Sequence, residues 1–322
     1  MDNYDTEQAG SSHWHLGPII DALRTSREST HNIRHQGRVR ELPSREVLRQ
    51  VIEGICAALF PTHYGRPDLN DESIDYFVGD TLNVALDRLV EQVRRALRFN
   101  PELENIAEPE LAGRARLITR KFAASLPEIR GLLVSDVQAA LAGDPAASSV
   151  AEIMLCYPGT IAVLYHRLAH CLHRLGAPFL ARLAADIAHT LTGIDIHPAA
   201  QIGASFFIDH GTGVVIGETA IIGRHVRLYQ AVTLGARRFP TDDKGALVKG
   251  APRHPIVEDD VVIYAGATIL GGETVIGEGA VIGGNTWVIE SVRPGERVLN
   301  TRTSRARQEK ILDRIHGFGE GI

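Results

Sequence analysis

The stretch at residues 261–289 reads VVIYAGATILGGETVIGEGAVIGGNTWVI, and its aliphatic residues return at nearly every sixth position. The same spacing continues towards the N-terminus, beyond a polar interruption. The series comprises Ile196, Ile202, Ile208, Ile216, Ile222, Leu228, Leu234, Val257, Ile263, Ile269, Ile276, Ile282 and Val288. A six-residue period fits neither an α-helix, which repeats every 3.6 residues, nor a single β-strand, which repeats every two.

This period is typical of a parallel β-helix built from hexapeptide repeats. In such a fold three short strands make one triangular coil, and each repeated aliphatic side chain points into the prism. Gly often follows the aliphatic residue, as in Ile202-Gly203 and Ile282-Gly283, which suits a chain that must turn corners. Strands of a β-sandwich would not keep a sixfold register. We therefore predict a C-terminal parallel β-helix over residues 193–299.

The preceding part of the chain has the shorter period of amphipathic helices. The segment 44–60, SREVLRQVIEGICAALF, has apolar residues at three- and four-residue spacing behind Ser44, which can cap a helix. Further helical patterns cover residues 71–99, 109–126, 127–145 and 148–191, the last broken at Pro158-Gly159 and at Gly176. We predict an α+β chain with a flexible segment at 1–40, an α-helical domain at 41–192, the β-helix, and a short helix and tail at 300–322.

Composition excludes several classes of protein. The chain is 44% hydrophobic and 23% charged, with a net charge of −5, whereas nucleic-acid-binding proteins usually carry a basic excess. No apolar run is long enough for a membrane helix, and the N-terminus lacks the apolar core of a signal peptide. The three cysteines, Cys56, Cys156 and Cys171, have no CxxC spacing and are predicted to be free thiols. These features predict a soluble cytoplasmic protein.

Two interruptions break the six-residue period. At DHGTG, residues 209–213, the Ile-Gly pairing resumes two residues late, at Ile216. At residues 236–255 a polar loop, ARRFPTDDKGALVKGAPRHP, leaves the coil and returns through Arg253-His254-Pro255. Because regular coils form the scaffold of a solenoid and long irregular loops are usually functional, we expect the chemistry at these interruptions.

The motifs around the interruptions resemble those of the serine O-acetyltransferases, a family of left-handed β-helix acyltransferases. The similar segments are DIHPAAQIG (195–203), FFIDHGTGVVIGETA (206–220), VTLG (232–235), RHP (253–255) and AGATILGG (265–272). The resemblance covers roughly residues 135–298 and includes DPAA at 144–147. It implies transfer of acetyl from acetyl-CoA to L-serine, giving O-acetyl-L-serine for cysteine synthesis.

The chemistry of this reaction suits the residues at the first interruption. Acetylation of an alcohol by a thioester requires a general base, and imidazole titrates near neutral pH. His210 can protrude because Gly211 and Gly213 leave room around it, and Asp195, one coil earlier, is a candidate to orient its ring. The alternatives are a surface histidine and an aspartate that only caps the first coil.

The resemblance also implies how the acceptor and the coenzyme bind. Asp144 and Asp209 would face the serine ammonium, and Arg253 and His254 its carboxylate, for which a planar guanidinium is suited. Asp144 could instead only begin a turn, Arg253-His254 could only close the loop, and Glu218 is an equally open candidate. The small residues at family positions for coenzyme A are Gly235, Ala236, Ala265 and Gly284, for which corner packing is the alternative interpretation.

The loop at 236–255 departs from the shorter, Gly-rich loop of better-known family members and resembles a longer-loop branch. Its basic residues, Arg237, Arg238, Lys244 and Lys249, are either solvated or contacts for the phosphates of coenzyme A. The chain ends in GEGI, which resembles family tails whose terminal isoleucine, here Ile322, enters O-acetylserine sulfhydrylase. The resemblance further implies feedback inhibition by L-cysteine. The solenoid's exposed face favours a homo-oligomer, either a trimer or a dimer of trimers.

Three alternative functions remain at this point. A related acyltransferase acting on homoserine or a sugar would share the fold and the base, although the paired acidic and basic residues favour a zwitterion. A zinc β-helix carbonic anhydrase would need three histidine ligands, and the β-helix lacks a His-x4-His pair. A non-catalytic scaffold for the sulfhydrylase would not need Asp195, His210 and Arg253 together. The helical histidines, His166, His170 and His173, have no carboxylate nearby to complete a site, so we predict no metal.

Overall fold

A computed structural model describes residues 14, 16–30, 34–35, 38–39, 41–238, 242, 245, 247–248 and 250–299. These residues divide into two compact units, one within Met1–Leu42 and one within Pro43–Ile322. The first unit contains helix α1 (Leu16–Thr30) and an antiparallel pair of two-residue strands, β1 (Arg34–His35) and β2 (Arg38–Val39). A helix therefore occupies part of the segment for which the sequence predicts flexibility.

The second unit begins with helices, as the sequence predicts. They are α2 (Arg45–Leu59), α3 (Pro61–Tyr64), α4 (Ile74–Leu97), a 3₁₀ turn (Pro101–Leu103), α5 (Glu108–Gly143), α6 (Val150–Cys156), α7 (Pro158–Arg174) and α8 (Pro178–Thr192). The Ser44 hydroxyl accepts a hydrogen bond from the Val47 N–H and caps α2 as predicted. Helix α5 continues through Pro127 and unites two segments of helical pattern. None of the helices in the described ranges is long and apolar enough to cross a membrane.

The C-terminal part consists of short parallel strands. They are β3 (Asp195–Ile196), β4 (Gln201–Ile202), β5 (Phe207–Ile208), β6 (Val215–Ile216), β7 (Ile221–Ile222), β8 (Arg227–Leu228), β9 (Thr233–Gly235), β10 (Ile256–Val257), β11 (Val262–Ile263), β12 (Thr268–Leu270), β13 (Val275–Ile276), β14 (Val281–Ile282), β15 (Trp287–Val288) and β16 (Arg297–Val298).

These strands form three parallel sheets that are the three faces of a prism. The β3 sheet has the order β15-β12-β9-β6-β3, the β4 sheet β13-β10-β7-β4, and the β5 sheet β16-β14-β11-β8-β5. From β3 to β15, consecutive strands fall in different sheets and each strand pairs with the strand three places further along the chain, so the chain winds as a coil. The last strand, β16, pairs with β14. This is the predicted α+β fold, helices followed by a parallel β-helix, and it is consistent with left-handed coiling.

The core of the prism is the predicted aliphatic series. Twelve of the thirteen residues are buried, and Ile202 in the first coil is partly buried. Each lies in a strand directly opposite its equivalent in the next coil, as in the pairs Ile196–Ile216 and Ile263–Ile282. In successive coils, each aliphatic residue therefore lies directly on its equivalent, which explains why a single period persists in the sequence.

The helices cover the first coil through a buried ion pair. Arg167 on α7 contacts Asp136 on α5, with Nη2 2.9 Å from Oδ1, and both side chains are almost fully buried. The same guanidinium donates to the carbonyl oxygens of Ile202 and Gly203, and Asp136 accepts the Phe206 N–H at 2.9 Å. The pair thereby satisfies backbone groups that the end of a solenoid would otherwise leave unpaired.

Candidate active site

Two edges of the prism carry the predicted site residues. The histidine edge, where the β5 sheet turns into the β3 sheet, comprises the turns 209–214, 229–232, 264–267 and 283–286. The arginine edge, where the β3 sheet turns towards the β4 sheet, comprises residues 197–200, 217–220, 236–255 and 271–274. Backbone hydrogen bonds of 2.9 Å join successive turns of the histidine edge, from the Ala231 N–H to Thr212 and from the Asn285 N–H to Ala265.

His210 lies in a turn that is longer than the others on its edge. The paired strands β3 and β6 begin at Asp195 and Val215, two residues further apart in sequence than β6 and β9, which begin at Val215 and Thr233. His210 has a φ of 56°, and its side chain is 53% exposed. A Cβ on Gly211 would lie 2.4 Å from Ile194 Cδ1, so only glycine fits after the histidine. The two-residue insertion thus exposes the imidazole of His210 above a tightly packed turn.

Asp195 lies at the same end of the β3 sheet, one coil earlier. Its N–H donates to the Val214 carbonyl at 2.9 Å, and it lies opposite Val215 in the parallel pair. Its neighbour Ile196 points into the core, so the half-buried Asp195 side chain points outwards, as alternation along a strand requires. The register therefore brings Asp195 and His210 to one edge.

Asp209 is buried next to the exposed histidine. Its side chain is 8% exposed, and its Oδ1 lies 3.7 Å from His210 Nδ1. Burial raises the pKa of Asp209. The charges of His210 and Arg227 oppose this rise, whereas the charge of Asp144 adds to it. A buried carboxylate of this kind favours a cationic partner.

Asp144 joins Asp209 from the helical layer. It caps the C-terminus of α5; its Oδ1 accepts the Ala146 N–H at 2.8 Å and its Oδ2 accepts the Tyr157 hydroxyl at 2.5 Å. Burial, the hydrogen bond to Asp144 and the nearby carboxylates raise the pKa of Tyr157. The phenol therefore stays protonated and donates to the carboxylate.

The contact of helix α7 with strand β5 brings this acidic pair together. A Cβ on Gly159 would lie 2.1 Å from the Ile208 carbonyl oxygen, so the first turn of α7 lies directly against the end of β5. The Arg227 guanidinium fills the space beside Gly143, 2.2 Å from where a Cβ would be, and stacks 5.5 Å from the Phe207 ring centre. Two carboxylates with one adjacent guanidinium leave an excess of negative charge.

The arginine edge holds Arg253 and His254 through Thr219. The Thr219 hydroxyl accepts the backbone N–H of Arg253 at 2.9 Å and that of His254 at 3.1 Å. The Arg253 guanidinium donates to Glu218. Burial alone would raise the pKa of Glu218, but the hydrogen bond and charge of Arg253 outweigh it and lower the pKa. Glu218 thus orients the guanidinium.

The hydrogen bonds of His254 define its tautomer. The Thr219 N–H donates to His254 Nδ1 at 3.1 Å, so the proton of the neutral ring lies on Nε2. Burial and the charge of Arg253 lower the pKa of His254, which favours this neutral form. A Cβ on Gly217 would lie 2.0 Å from Nε2, so glycine is required beside the ring. His254 can therefore present one N–H donor beside the Arg253 cation.

The four small residues predicted to contact coenzyme A lie on both edges. Gly235 ends β9 at the arginine edge, followed by Ala236, whereas Ala265 and Gly284 lie in stacked turns of the histidine edge. A Cβ on Gly284 would lie 3.1 Å from the Ala265 carbonyl oxygen, and one on Gly235 2.8 Å from Leu270 Cδ2. Close packing between coils thus already accounts for both glycines.

A cleft of about 740 Å³ opens beside the arginine edge. Arg237, Arg238 and Arg253 line it on one side, and the turn at Gly271–Thr274 and residues 289–291 on the other. The Arg237 guanidinium approaches the Ile289 carbonyl oxygen at 3.5 Å. Glu273 and Glu290 also line the cleft, so its three arginines face two carboxylates and an anionic group would be received at the Arg237–Arg238 side.

The two edges are separated by the full width of the β3 sheet. One face spans six residues, and extended chain rises about 3.3 Å per residue, so the edges lie roughly 20 Å apart. His210 and the acidic pair therefore cannot touch the same small molecule as Arg253 and His254 within one chain. The structure brings together Asp144, Asp195, Asp209 and His210 on one edge, and Arg253 with His254 on the other.

Sequence reasoning missed several residues of these clusters. Tyr157 and Thr219 form hydrogen bonds with predicted site residues, and the charge of Arg227 opposes the rise in the pKa of Asp209. Gln230 on the histidine edge has a buried Oε1 without a hydrogen-bond partner among the described residues. Thr219 lies inside the quoted motif at 206–220, which was a usable signal. Ile322, Lys244 and Lys249 lie outside the described residues.

The helical histidines pack between α7 and the first coil. His166 is fully buried, His170 Nδ1 lies 2.8 Å from the Pro198 carbonyl oxygen, and the ring of His173 lies 6.3 Å from that of His197. Burial, with smaller effects of nearby charges, lowers the pKa of His197 to about 4. Within the described ranges, no group of three or more His, Cys, Asp or Glu residues is arranged to hold a metal ion.

Comparisons with known proteins bear on the class of the chain. No family model matches it. It is 53% identical over 288 residues to "Serine acetyltransferase, plasmid" of Synechococcus elongatus, covering 88% of this chain and 89% of the relative. It is also 50% identical over 164 residues to the serine acetyltransferase of Mycobacterium tuberculosis, covering 51% of this chain and 67% of the relative.

Solved structures give the same result. Entamoeba histolytica serine acetyltransferase 1 in complex with L-cysteine has a TM-score of 0.66 and 34% identity, covering 87% of this chain and 96% of that one. Neisseria gonorrhoeae serine acetyltransferase in complex with serine has a TM-score of 0.51 and 28% identity, covering 80% and 95%.

A helical layer on a hexapeptide β-helix, with a histidine exposed at a coil insertion, defines a hexapeptide-repeat acyltransferase. The similarity over most of both chains then identifies the family. The chain belongs to the serine acetyltransferases.

Proposed function

We propose that this protein transfers the acetyl group of acetyl-CoA to the hydroxyl of L-serine, giving O-acetyl-L-serine and CoA for cysteine biosynthesis. The observation that carries the proposal is the exposed His210 beside an acidic pair, the buried Asp209 and the half-buried Asp144. A base next to a site for a cation suits an acceptor that has both a hydroxyl and an ammonium group.

His210 is the general base in this proposal, and no covalent enzyme intermediate forms. The imidazole removes the serine hydroxyl proton while the oxygen attacks the thioester carbonyl; the C–O bond forms, the C–S bond breaks, and the proton passes to the sulfur of CoA. Asp195 holds the imidazole in the productive tautomer, since a carboxylate on one ring nitrogen favours a free electron pair on the other. The exposure of His210 supports this role.

Recognition of serine combines groups from both edges. Asp144 and Asp209 accept hydrogen bonds from the ammonium, while Arg253 and the Nε2–H of His254 donate to the carboxylate. Because the edges lie roughly 20 Å apart in one chain, the complete site requires the histidine edge of one copy against the arginine edge of a second. Such a head-to-tail contact closes into a ring, so we propose a homotrimer, alone or paired as a dimer of trimers.

Acetyl-CoA would lie in the same groove between copies. Ala265 and Gly284 on the histidine edge and Gly235 and Ala236 on the arginine edge are small enough for a chain-like ligand to approach the backbone. Their packing against neighbouring coils is also compatible with a purely structural role. Arg237 and Arg238 line one side of the cleft on the arginine edge, and their guanidinium groups carry the charge that suits the phosphates.

Two further partners follow from the family. The Entamoeba histolytica enzyme was solved with L-cysteine bound and the Neisseria gonorrhoeae enzyme with serine. Cysteine has the same ammonium and carboxylate groups as serine, so we propose that it competes for this site as a feedback inhibitor. We also propose that Ile322 binds O-acetylserine sulfhydrylase.

An assay of CoA release tests the acceptor directly. Acetyl-CoA is offered with L-serine, L-homoserine or glucose, and the free thiol is measured. We expect L-serine to give the highest kcat/KM and L-cysteine to inhibit in competition with it. Faster acetylation of homoserine or glucose would contradict the proposed acceptor.

A further inference from the structure

We propose that Tyr157 is a positioning residue for the acceptor's ammonium group: its hydroxyl holds the Asp144 carboxylate beside Asp209 and so sets the selectivity for acceptors that carry an amine. This inference rests on the proposed function, in which the two aspartates receive the ammonium. It adds a determinant that lies outside the motifs at the two coil interruptions.

The hydrogen bonds of Asp144 show that its carboxylate is held at both oxygens. Oδ1 accepts the Ala146 N–H at 2.8 Å, and Oδ2 accepts the Tyr157 hydroxyl at 2.5 Å. Each carboxylate oxygen has two lone pairs, so Oδ2 can still accept an ammonium N–H. Without the phenol, repulsion from Asp209 would favour rotation of Asp144 towards solvent.

The backbone around Tyr157 makes it a rigid support. The residue ends α6 and precedes α7 with φ −86° and ψ 116°, and Pro158 follows it. Gly159 then places the start of α7 against Ile208, the residue before Asp209. The position of the phenol is therefore coupled to the position of the second carboxylate.

The charge of the donor is as important as its position. A lysine or arginine in place of Tyr157 would neutralise one carboxylate and compete with the substrate's ammonium. The phenol is neutral, and its raised pKa keeps it protonated near neutral pH. Tyr157 thus orients Asp144 while both carboxylates remain available to a cation.

The substitution Tyr157→Phe tests the inference. We expect the KM for L-serine to rise about tenfold, the effect of losing one hydrogen bond to a charged group. The KM for acetyl-CoA and the kcat should change little, because the phenol donates to Asp144, which the proposed function assigns to the acceptor's ammonium and not to the coenzyme or the base. Tyr157→Met, which also lacks the donor, gives a second test should the phenylalanine variant not fold.

Tyr64→Phe is the matched control. The Tyr64 hydroxyl donates to the Met154 carbonyl on α6 at 2.5 Å, so this variant loses an equally short tyrosine hydrogen bond that tethers the same helix. Its KM for serine should equal that of the unmodified enzyme. An equal rise in both variants would reduce the role of Tyr157 to general support of α6 and overturn the inference.

A double-mutant cycle with Asp144→Ala separates this inference from the proposed function. Asp144→Ala should raise the KM for serine, and adding Tyr157→Phe should raise it no further. An unchanged KM in Asp144→Ala would reject the ammonium site itself. If Asp144→Ala raises the KM for serine but Tyr157→Phe does not, only the role of Tyr157 is rejected. The same conclusion follows if Tyr157→Phe raises the KM by an equal factor in the unmodified enzyme and in Asp144→Ala.

Selectivity provides the last measurement. We expect the ratio of kcat/KM for L-serine to that for 3-hydroxypropanoate, which lacks the amine, to fall in Tyr157→Phe and to be unchanged in Tyr64→Phe. An unchanged ratio in Tyr157→Phe would contradict a role in amine recognition.

Discussion

His210 combines features that rarely occur together in a surface histidine. It has a left-handed backbone conformation, precedes a glycine that no larger residue can replace without displacing Ile194, and lies next to a buried carboxylate. The left-handed conformation is shared by corner residues of other coils, such as Ala231 and Asn285, so the exposed ring and the adjacent carboxylate are what distinguish His210. The two-residue insertion is thus a device that exposes an imidazole over a rigid coil.

Replacement of His210 tests its proposed role as base. His210→Ala should lower kcat by a factor of about 10² to 10⁴, the usual contribution of a general base. His225→Ala is the matched control, because His225 is also exposed and has a φ of 57°, but lies in a turn away from both edges. Equal turnover in the two variants would refute the assignment.

The buried Asp209 predicts a conflict between stability and binding. Because the pKa of Asp209 is raised, the folded state binds its proton more tightly than the unfolded state does. The free energy of unfolding therefore falls as the pH rises through the pKa of Asp209 in the folded state. Asp209→Asn should therefore match or exceed the unmodified protein in melting temperature at pH 7, with the difference shrinking at acidic pH. The KM for serine should rise.

Asp259→Asn is a control of opposite sign. Hydrogen bonds from the Arg224 N–H and guanidinium lower the pKa of Asp259. Its charged carboxylate therefore stabilises the fold at pH values above the ordinary pKa of aspartate, and this stabilisation is lost as the pH falls. This variant should melt at a lower temperature at pH 7. A larger loss of melting temperature at pH 7 in Asp209→Asn would contradict the cost assigned to burial.

At the scale of strands and helices, the sequence predicts the elements well and their contacts poorly. The six-residue period predicts thirteen of the fourteen strands of the β-helix, because each aliphatic residue stacks on its equivalent in a neighbouring coil; β16 lies beyond the predicted series. Helix α5 passes through Pro127, where the sequence alone cannot show that tertiary packing maintains the helix. Local patterns fix elements, and packing decides how far they extend.

The residues of the candidate site can likewise be predicted from the sequence only in part. Motif resemblance indicates Asp209, His210 and Arg253 because they lie at the interruptions of the period. Tyr157 and Arg227 have no such signal, since each is brought near the aspartates by packing between elements that the one-dimensional pattern does not encode. Their roles become visible only when α7 is packed against the first coils.

The contact between Gly217 and His254 yields a prediction at this scale. Gly217→Ala would place a methyl group 1.9 Å from the His254 ring, so the imidazole must move. We expect kcat/KM for serine to fall about tenfold or more, since misplacement by 1 Å can cost 10²-fold. The KM for acetyl-CoA should change less.

Gly131→Ala controls for the same chemical change. Gly131 lies within α5, and nothing lies within 4 Å of its added Cβ, so alanine there should leave the kinetics unchanged. It should also stabilise the helix slightly, because alanine has a higher helix propensity than glycine. Unaltered kinetics in Gly217→Ala would show that the position of His254 does not matter.

At the scale of the whole molecule, the helices and the β-helix contribute to one site. The buried Asp136–Arg167 pair fixes α5 and α7 on the first coil, and this docking brings Asp144 from the end of α5 to Asp209. The prism then separates the acidic pair and His210 from Arg253 and His254 on its other edge. Under the proposed function, a single chain thus carries two incomplete halves of the site for serine.

Complementation between inactive variants tests this division of the site most directly. His210→Ala removes the proposed base from the histidine edge, and Arg253→Ala removes the guanidinium from the arginine edge. The two variants are unfolded, mixed in equal amounts and reassembled. If each site takes one edge from each of two neighbouring copies in a ring, one site in four has both edges intact, and about a quarter of the unmodified activity should return. Activity no higher than that of the separate variants, in a verified mixed oligomer, would show that the site is not shared and would contradict the account.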